Sequence, residues 1–437
     1  MANTYLTYTQ QSPSTAEGQK FTLSMWVKKC ANGVGQGLWG NTYSNTHRGY
    51  INFESTDRLA YYDSGGVYYL TNRLFRDTSA WYHIVVAVDT TQGGGNRIKF
   101  YINGVRETSF NTSTEPNQNE TLKIMNTTNT PTMGKYVEAG TSYYLQGVIS
   151  HAHLTQGYTY DATPFGETDA TTGEWKIKTT VTGVTYGTNG FWWLKDTIAT
   201  TDHSPNSNSF SVGGGTLTKT EDCPDNVFST CSKEPMRRLS GTYVKPVLSN
   251  GNTTWDATGA DVGATVTLSN LGATTGKYYM EAKVGGSYAD SSRIGVGTHE
   301  NYNGTTFFNS TSSNYVSYTA NGEKNIAGTT SSYGASYTVG DIISVALDCD
   351  NNTVTFYKNG ASQGAINIAN NDNFKHFSCG GYDATGSNIT NWICNFGNGY
   401  FGTTAVSSAG TNASGNGIFE FDVPTGYTAL STKGLNL

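Results

Sequence analysis

Asp341-Ile-Ile-Ser-Val-Ala-Leu-Asp-Cys-Asp-Asn-Asn-Thr-Val-Thr-Phe-Tyr-Lys-Asn-Gly360 reads as strand, turn, strand, turn. Ile343, Val345 and Leu347 alternate with Ser344, Ala346 and Asp348, the period-two pattern of a half-buried strand. Asp350-Asn351-Asn352 supplies turn residues that tolerate left-handed backbone, after which Val354 and Phe356 alternate with Thr355 and Tyr357. Asn359-Gly360 closes the phrase. Between alternating runs this dipeptide is the strongest short hairpin signal, because a type I′ turn needs φ > 0 at both central residues.

The phrase occurs once more. Trp81-Tyr-His-Ile-Val-Val-Ala-Val-Asp89 is a strand, Gly93-Gly-Gly95 a turn, and Ile98-Lys-Phe-Tyr-Ile-Asn-Gly104 repeats the strand and hairpin. Two such hairpins predict two antiparallel β-sandwiches with Val85, Phe100, Ile343, Val345 and Leu347 buried. A solenoid would need at least three stacked repeats.

Composition agrees with an all-β chain. The 437 residues hold 52 Gly and 29 Tyr against 14% charged residues, and no run of ten shows helical apolar spacing. Length alone predicts two or three domains, each large enough for its own core. A net charge of −6, with no basic cluster longer than Arg237-Arg238, argues against nucleic acid, whose binding rests on Lys and Arg neutralising phosphates. No apolar run approaches the ~20 residues of a membrane span, and Met1-Ala-Asn-Thr-Tyr5 has no basic then apolar leader pattern.

The six cysteines lack C-x-x-C spacing, which argues against zinc. Cys349, Cys379 and Cys394 sit in apparent strands and are expected buried, whereas Cys223 and Cys231 flank a turn and could bridge, against which stands a reducing cytoplasm. Residues 111–130, rich in Asn, Thr and Glu, read as a long exposed loop.

The Asp341–Gly360 phrase resembles the core of the SPRY family. The Trp81–Gly104 phrase resembles the laminin G and concanavalin A-like sandwiches, which share that hairpin. A closer resemblance rests on the order of several further phrases. Pro164-Phe-Gly-Glu-Thr-Asp-Ala-Thr-Thr-Gly-Glu-Trp-Lys-Ile-Lys178, Gly187-Thr-Asn-Gly-Phe-Trp-Trp-Leu194 and Asp202-His-Ser-Pro-Asn-Ser-Asn-Ser-Phe210 are similar to a tract that follows the concanavalin A-like domain in virion proteins of tailed phages of the marine, cyanophage type. There it leads, through a sequence like Asp222-Cys-Pro-Asp-Asn-Val-Phe-Ser-Thr230, into a SPRY-like domain. Gly276–Lys283, Arg293–Gly297, Asn395-Phe-Gly397 and Pro424–Leu430 keep that order here. The resemblance implies a concanavalin A-like domain over 1–212, a linker over 213–240 and a SPRY-like domain over 241–437. It departs in 400–418, longer than the usual link, and in having no coiled-coil heptads.

Catalytic and metal chemistry leave weak traces. The nearest sequence to the Glu-x-Asp-x-x-Glu of concanavalin A-like glycoside hydrolases is Glu167-Thr-Asp169 with Glu174 beyond, in a Gly/Thr-rich tract that is not expected to be a strand. Retaining hydrolysis needs two carboxyls ~5–5.5 Å apart, which this spacing does not ensure. His151 and His153, two apart on a strand, share a face but have no third ligand in sequence. Asp348-x-Asp350-x-Asn352 opens like a calcium loop, yet Thr353 stands where Gly is required and Asn359 where a bidentate Glu is required. No catalytic residue, metal ligand or cofactor is assigned. Calcium in the first sandwich stays open, since separate loops can build such a site without a local motif.

Aromatic residues are more informative. Trp26, Trp81, Trp192, Phe356 and Trp392 alternate as core residues do. Tyr61, Tyr62, Tyr68, Tyr69, Tyr302 and Tyr333, with Tyr288 and Tyr315, fall near loops or strand ends. Exposed Tyr offers rigid amphipathic contact area at low entropy cost, and the first six are the candidate glycan or partner contacts. The expected function is a non-enzymatic fibre or appendage protein, made in the host cytoplasm and carried on the virion. Its expected partners are host-surface glycan and other virion proteins, with assembly as a homotrimer. The alternatives are a capsid- or tail-decorating protein that binds only virion components, and a glycan hydrolase.

Overall fold

The Asn-Gly dipeptides at 103–104 and 359–360 turn their hairpins as their chemistry dictates. Asn103 and Gly104 have φ of 48° and 78°, and Asn359 and Gly360 of 47° and 82°. Each Asn also bonds back into its sheet. The N–H of Asn103 donates to the His83 carbonyl at 2.9 Å while its Oδ1 accepts the His83 N–H at 2.8 Å; Asn359 does the same with Ile342, at 2.8 Å both ways. The computed structural model describes residues 3–44, 46–125, 130–195, 200–231, 247–256, 263–285, 292–298, 315–368, 373–383 and 391–436. The chain forms two compact units, Met1–Lys219 and Thr220–Leu437.

In the first unit an eight-stranded antiparallel sheet runs in the order Phe110–Thr114, Val67–Leu74, Arg58–Asp63, His47–Phe53, Gln36–Ser44, Thr132–Met133, Tyr5–Thr7, Ser211–Gly214. A six-stranded sheet runs Phe191–Trp193, Gly147–Gln156, Lys20–Lys29, Trp81–Asp89, Ile98–Ile102, Val105–Glu107. Alternate residues of both meet in one core, including Leu23, Met25, Ile51, Phe53, Tyr61, Tyr69, Ile84, Val86 and Phe100. Residues 111–125 differ from the expected exposed loop, and 126–129 lie outside the described residues. Phe110–Thr114 is an edge strand, and the turn Lys123–Met125 sends Leu122, Ile124 and Met125 into the core. Buried Asp63 fixes that turn by accepting the N–H groups of Lys123 and Ile124 at 2.9 and 2.8 Å.

The second unit pairs Val247–Ser249, Thr254–Asp256, Asn391–Asn395, Lys277–Gly285, Ile342–Asp348, Thr353–Lys358 and Ala361–Asn367 in one sheet, with Thr428–Ala429 parallel to Lys277–Gly285. The facing sheet runs Gly263–Leu268, Lys375–Asp383, Arg293–Thr298, Val316–Thr319, Glu323–Ile326, Thr329–Ser332. Ile343, Val345, Leu347 and Phe356 fill the core between them, as expected. The other face of Ile342–Asp348 is buried too, against the half-buried expectation. Ser344 and Ala346 lie at 0% and 1% exposure because Phe419, Val423 and Ala429 pack over this face with Tyr279 and Phe228. The tract after Asn395-Phe-Gly397 is thus a covering layer.

The segment expected as a linker over 213–240 is partly built into the units. Gly213 and Gly214 end an edge strand of the first, and Phe228 and Cys231 are buried in the second; residues 232–240 lie outside the described residues. Cys379 and Cys394 are buried in strands as expected, and Cys349 is buried too but at the first turn position after Ile342–Asp348. Cys223 and Cys231 are both free thiols.

Candidate functional site: a tyrosine row on the first unit

Strand alternation divides each tyrosine doublet. In Tyr61-Tyr62 and Tyr68-Tyr69 the inner members, Tyr61 and Tyr69, join the core, while Tyr62 and Tyr68 stand half-buried on the outer face of the eight-stranded sheet. Register aligns the outer ones: Tyr50 pairs directly with Tyr62, and Tyr62 with Tyr68. Directly opposed side chains on neighbouring strands stand close enough to touch. Tyr50 and Tyr62 stack at 5.0 Å between ring centres, and Tyr68 meets Tyr62 edge-on at 6.4 Å.

A hairpin extends the row. Lys135–Glu138 pairs with Thr141–Tyr144 and lies across the sheet over Gly37 and Gly40. Glycine is required beneath it, since a Cβ on Gly37 would stand 2.4 Å from the Lys135 carbonyl carbon. Tyr136 reaches Tyr50 at 4.6 Å and stacks on Tyr143 at 4.8 Å. Five rings therefore follow one another across five strands.

Charged groups hold the row. Glu138 accepts the Tyr50 hydroxyl at 2.8 Å and meets Arg48 at 3.5 Å, and the Arg48 guanidinium lies 5.0 Å over the Tyr62 ring. Asn52 donates to Glu54 at 3.2 Å, and burial, with Glu138 adding to it, pushes the Glu54 carboxyl above its ordinary value. The Tyr50 and Tyr136 hydroxyls are raised well above the usual phenol value, chiefly by burial. They serve as neutral hydrogen-bonding groups. Aromatic faces carry a negative quadrupole that attracts C–H edges, and flanking carboxylate and amide groups bond hydroxyls. Tyr50 and Tyr136 are buried at 3% exposure, so the rings open to a flat, hydroxyl-rich sugar are the half-buried Tyr62, Tyr68 and Tyr143.

Of the residues singled out in the sequence, Tyr62 and Tyr68 belong to this row, whereas Tyr61 and Tyr69 are corrected to core residues. Tyr302 lies outside the described residues, as does Tyr288, and Tyr315 is fully buried. Tyr333 packs half-buried against Tyr318 and Phe356, with its hydroxyl bonded to the Gly364 carbonyl. Tyr50, Tyr136, Tyr143, Arg48, Glu54 and Glu138 were not singled out. Tyr50 was within reach of the register of three adjacent alternating strands; the hairpin residues had no local signal.

The carboxylates of the Pro164–Lys178 tract are tied down elsewhere. Contrary to expectation, Gly166–Thr168 is a short strand, paired with Trp175–Ile177; Glu167 and Asp169 both meet Lys176, at 3.6 and 3.1 Å. Asp348 bonds Lys277 and Asn351, and Asp350 accepts the Gly276 N–H. Among the described residues no group of three or more His, Cys, Asp or Glu side chains is placed to hold a metal ion.

Despite a bulge between Ser150 and His153, both rings lie on one face as their spacing predicts, packed on Trp192 at 6.2 Å for His151 and 4.9 Å for His153. His151 takes φ of 47° and bonds Ser150, while His153 bonds the Tyr186 hydroxyl. Ser24 Oγ lies 2.9 Å from His83 Nε2, as a nucleophile would lie from its base. Trp175 Nε1–H donates to His83 Nδ1 at 2.9 Å, however, so the neutral ring carries its proton on Nε2 and donates to Ser24. The pair is structural.

Burial lowers His83 from 6.5 to about 3. Because the folded value lies below the ordinary one, its contribution is complete above about pH 6.5 and is lost as pH falls towards 3, by roughly 3–5 kcal/mol. Asp63, raised by burial to about 7, acts oppositely over the acid range. His83→Gln is therefore expected to flatten the acid loss of first-unit stability between pH 6.5 and 4, read by segment-resolved hydrogen exchange. Equal pH slopes for variant and wild type would reject the assignment.

Residues 2–157 match the family described as the Concanavalin A-like lectin/glucanases superfamily, and residues 277–379 match the SPRY domain. Among solved structures, the SPRY domain of human HERC1 is similar at 20% identity over 34% of this chain and 91% of that one, with a TM-score of 0.30. A second human SPRY domain is 13% identical over 35% of this chain and 96% of that one, with a TM-score of 0.27. No curated protein matches the chain. The chain thus carries a concanavalin A-like domain followed by a SPRY domain, and the tyrosine row falls within the first.

Proposed function

We propose that this chain is a non-enzymatic fibre or appendage protein of a tailed-phage virion, and that it adheres to host-surface polysaccharide through the tyrosine row. The observation that carries the adhesive role is the in-register alignment of Tyr50, Tyr62 and Tyr68, continued by Tyr136 and Tyr143 and edged by Arg48, Glu54 and Glu138. Carbohydrate or protein binding is consistent with both matched families. The phage setting rests on the ordered sequence phrases.

A shallow row should grip one stretch of polymer weakly, near millimolar, or about 4 kcal/mol. Adhesion then comes from several copies held together, where effective concentration raises avidity by roughly a hundredfold or more. The chain is expected to be a homotrimer by light scattering and to bind host cells far better than monomer at matched protomer concentration. A stable monomer that binds cells as well as whole virions do would defeat this reading. Binding to virion proteins with none to cells or their polysaccharides would favour a decorating role instead.

A further inference from the structure

We propose that Cys231, Cys379 and Cys394 form a cross-linking site that takes one disulfide at a time, always through Cys394. The Cys394 sulfur lies 3.8 Å from the sulfur of Cys231 and 3.8 Å from that of Cys379. The three thiols arrive on separate pieces of chain. Cys379 is in Lys375–Asp383 of the six-stranded sheet, Cys394 in Asn391–Asn395 of the facing sheet, and Cys231 on a segment bridged to Ser269. All lie in the same buried core cluster of the second unit. The remaining thiols of this unit have other neighbours: Cys223 points to the Asn226 carbonyl and Cys349 to that of Ala273.

The spacing is that of sulfurs in van der Waals contact, and a side-chain rotation must bring either pair to the ~2.05 Å of a bond. With oxidised glutathione as the oxidant, the Cys394 thiolate attacks one glutathione sulfur and releases the other glutathione as a thiol. The thiolate of Cys231 or Cys379 then attacks the Cys394 sulfur of this mixed disulfide and displaces the second glutathione. Two protein thiols are oxidised, one glutathione disulfide is reduced, and the two protons lost from the protein end on the two glutathione thiols. Burial restricts the exchange to folding or to transient opening of the sandwich. The two links differ in reach. Cys379–Cys394 spans 15 residues and joins the sheets, whereas Cys231–Cys394 spans 163 and ties the start of the unit to the strand near its end.

The test is to refold the full chain in a buffer of reduced and oxidised glutathione, alkylate the remaining thiols and map the linked peptides by mass. Molecules that have lost two hydrogens are expected, some joined 231–394 and others 379–394, never both, with Cys30, Cys223 and Cys349 alkylated. Cys231→Ser should leave only the 379–394 link, Cys379→Ser only the 231–394 link, and Cys394→Ser neither. A serine variant can fail to fold, so the wild-type map decides by itself. Six alkylated thiols in refolded native chain, or a bond that omits Cys394 such as 223–231, would overturn the proposal.

Discussion

Replacing Glu281 by alanine is expected to destabilise the second unit by about 3–5 kcal/mol while leaving the first unchanged. Glu281 is a fully buried carboxylate on the outer face of the strand Lys277–Gly285. Its two oxygens accept the backbone N–H groups of Glu420 and Phe421 at 2.8 and 2.9 Å, and they also meet the Tyr279 hydroxyl at 3.2 Å and the Asn395 amide at 3.4 Å. Burial still pushes the carboxyl up to about 7. Alanine leaves two peptide N–H groups without acceptors inside the protein, each costing about 1–3 kcal/mol. It also frees the layer that lies over Tyr279, where the Phe419 ring sits edge-on at 4.9 Å. Glu281→Gln should fall between, since its amide keeps the volume and one oxygen but turns a donor towards a donor. Hydrogen exchange resolved by segment should show lost protection in the strands Lys277–Gly285 and Ile342–Asp348, with new protease cleavage between 400 and 424. Unchanged protection there would show that the layer is held by its apolar contacts alone.

What was legible in the sequence was local. Asn-Gly set between two alternating runs makes its turn from local chemistry, and strands read from alternation because one face met a core. The failures share a different cause. Leu122, Ile124 and Met125 were hidden in a polar tract because their burial depends on Asp63, some sixty residues earlier, capping their turn. Tyr61 and Tyr69 were grouped with Tyr62 and Tyr68 because a doublet at a strand end looks the same whichever member points inwards. Arg48 and Glu138 meet only after a hairpin crosses the sheet over two glycines. Neither glycine differs in sequence from the turn glycines around it. Ser344 and Ala346 were expected at a surface, and a covering layer from the end of the chain made it an interior.

The tyrosine row yields the prediction closest to function. Tyr62→Ala with Tyr68→Ala is expected to reduce binding to host-surface polysaccharide by about fivefold to a hundredfold per site. Two stacking rings at roughly 0.5–1.5 kcal/mol each, beyond the area they cover, account for that range, since 1.4 kcal/mol is tenfold. Both rings stand on the outer face of a sheet whose core is made by Tyr61 and Tyr69, so the fold should survive. An unchanged melting temperature, within a few degrees, is the check. Tyr62→Phe with Tyr68→Phe should keep most of the binding if ring faces dominate and lose it if the hydroxyls do. Tyr158→Ala removes an exposed tyrosine outside the row and should change nothing. In a multimer the loss is compounded, because every weakened site also lowers the avidity gained by its neighbours. Wild-type binding in the double alanine variant, measured on immobilised polysaccharide at matched protomer concentration, would remove the row from the adhesive surface.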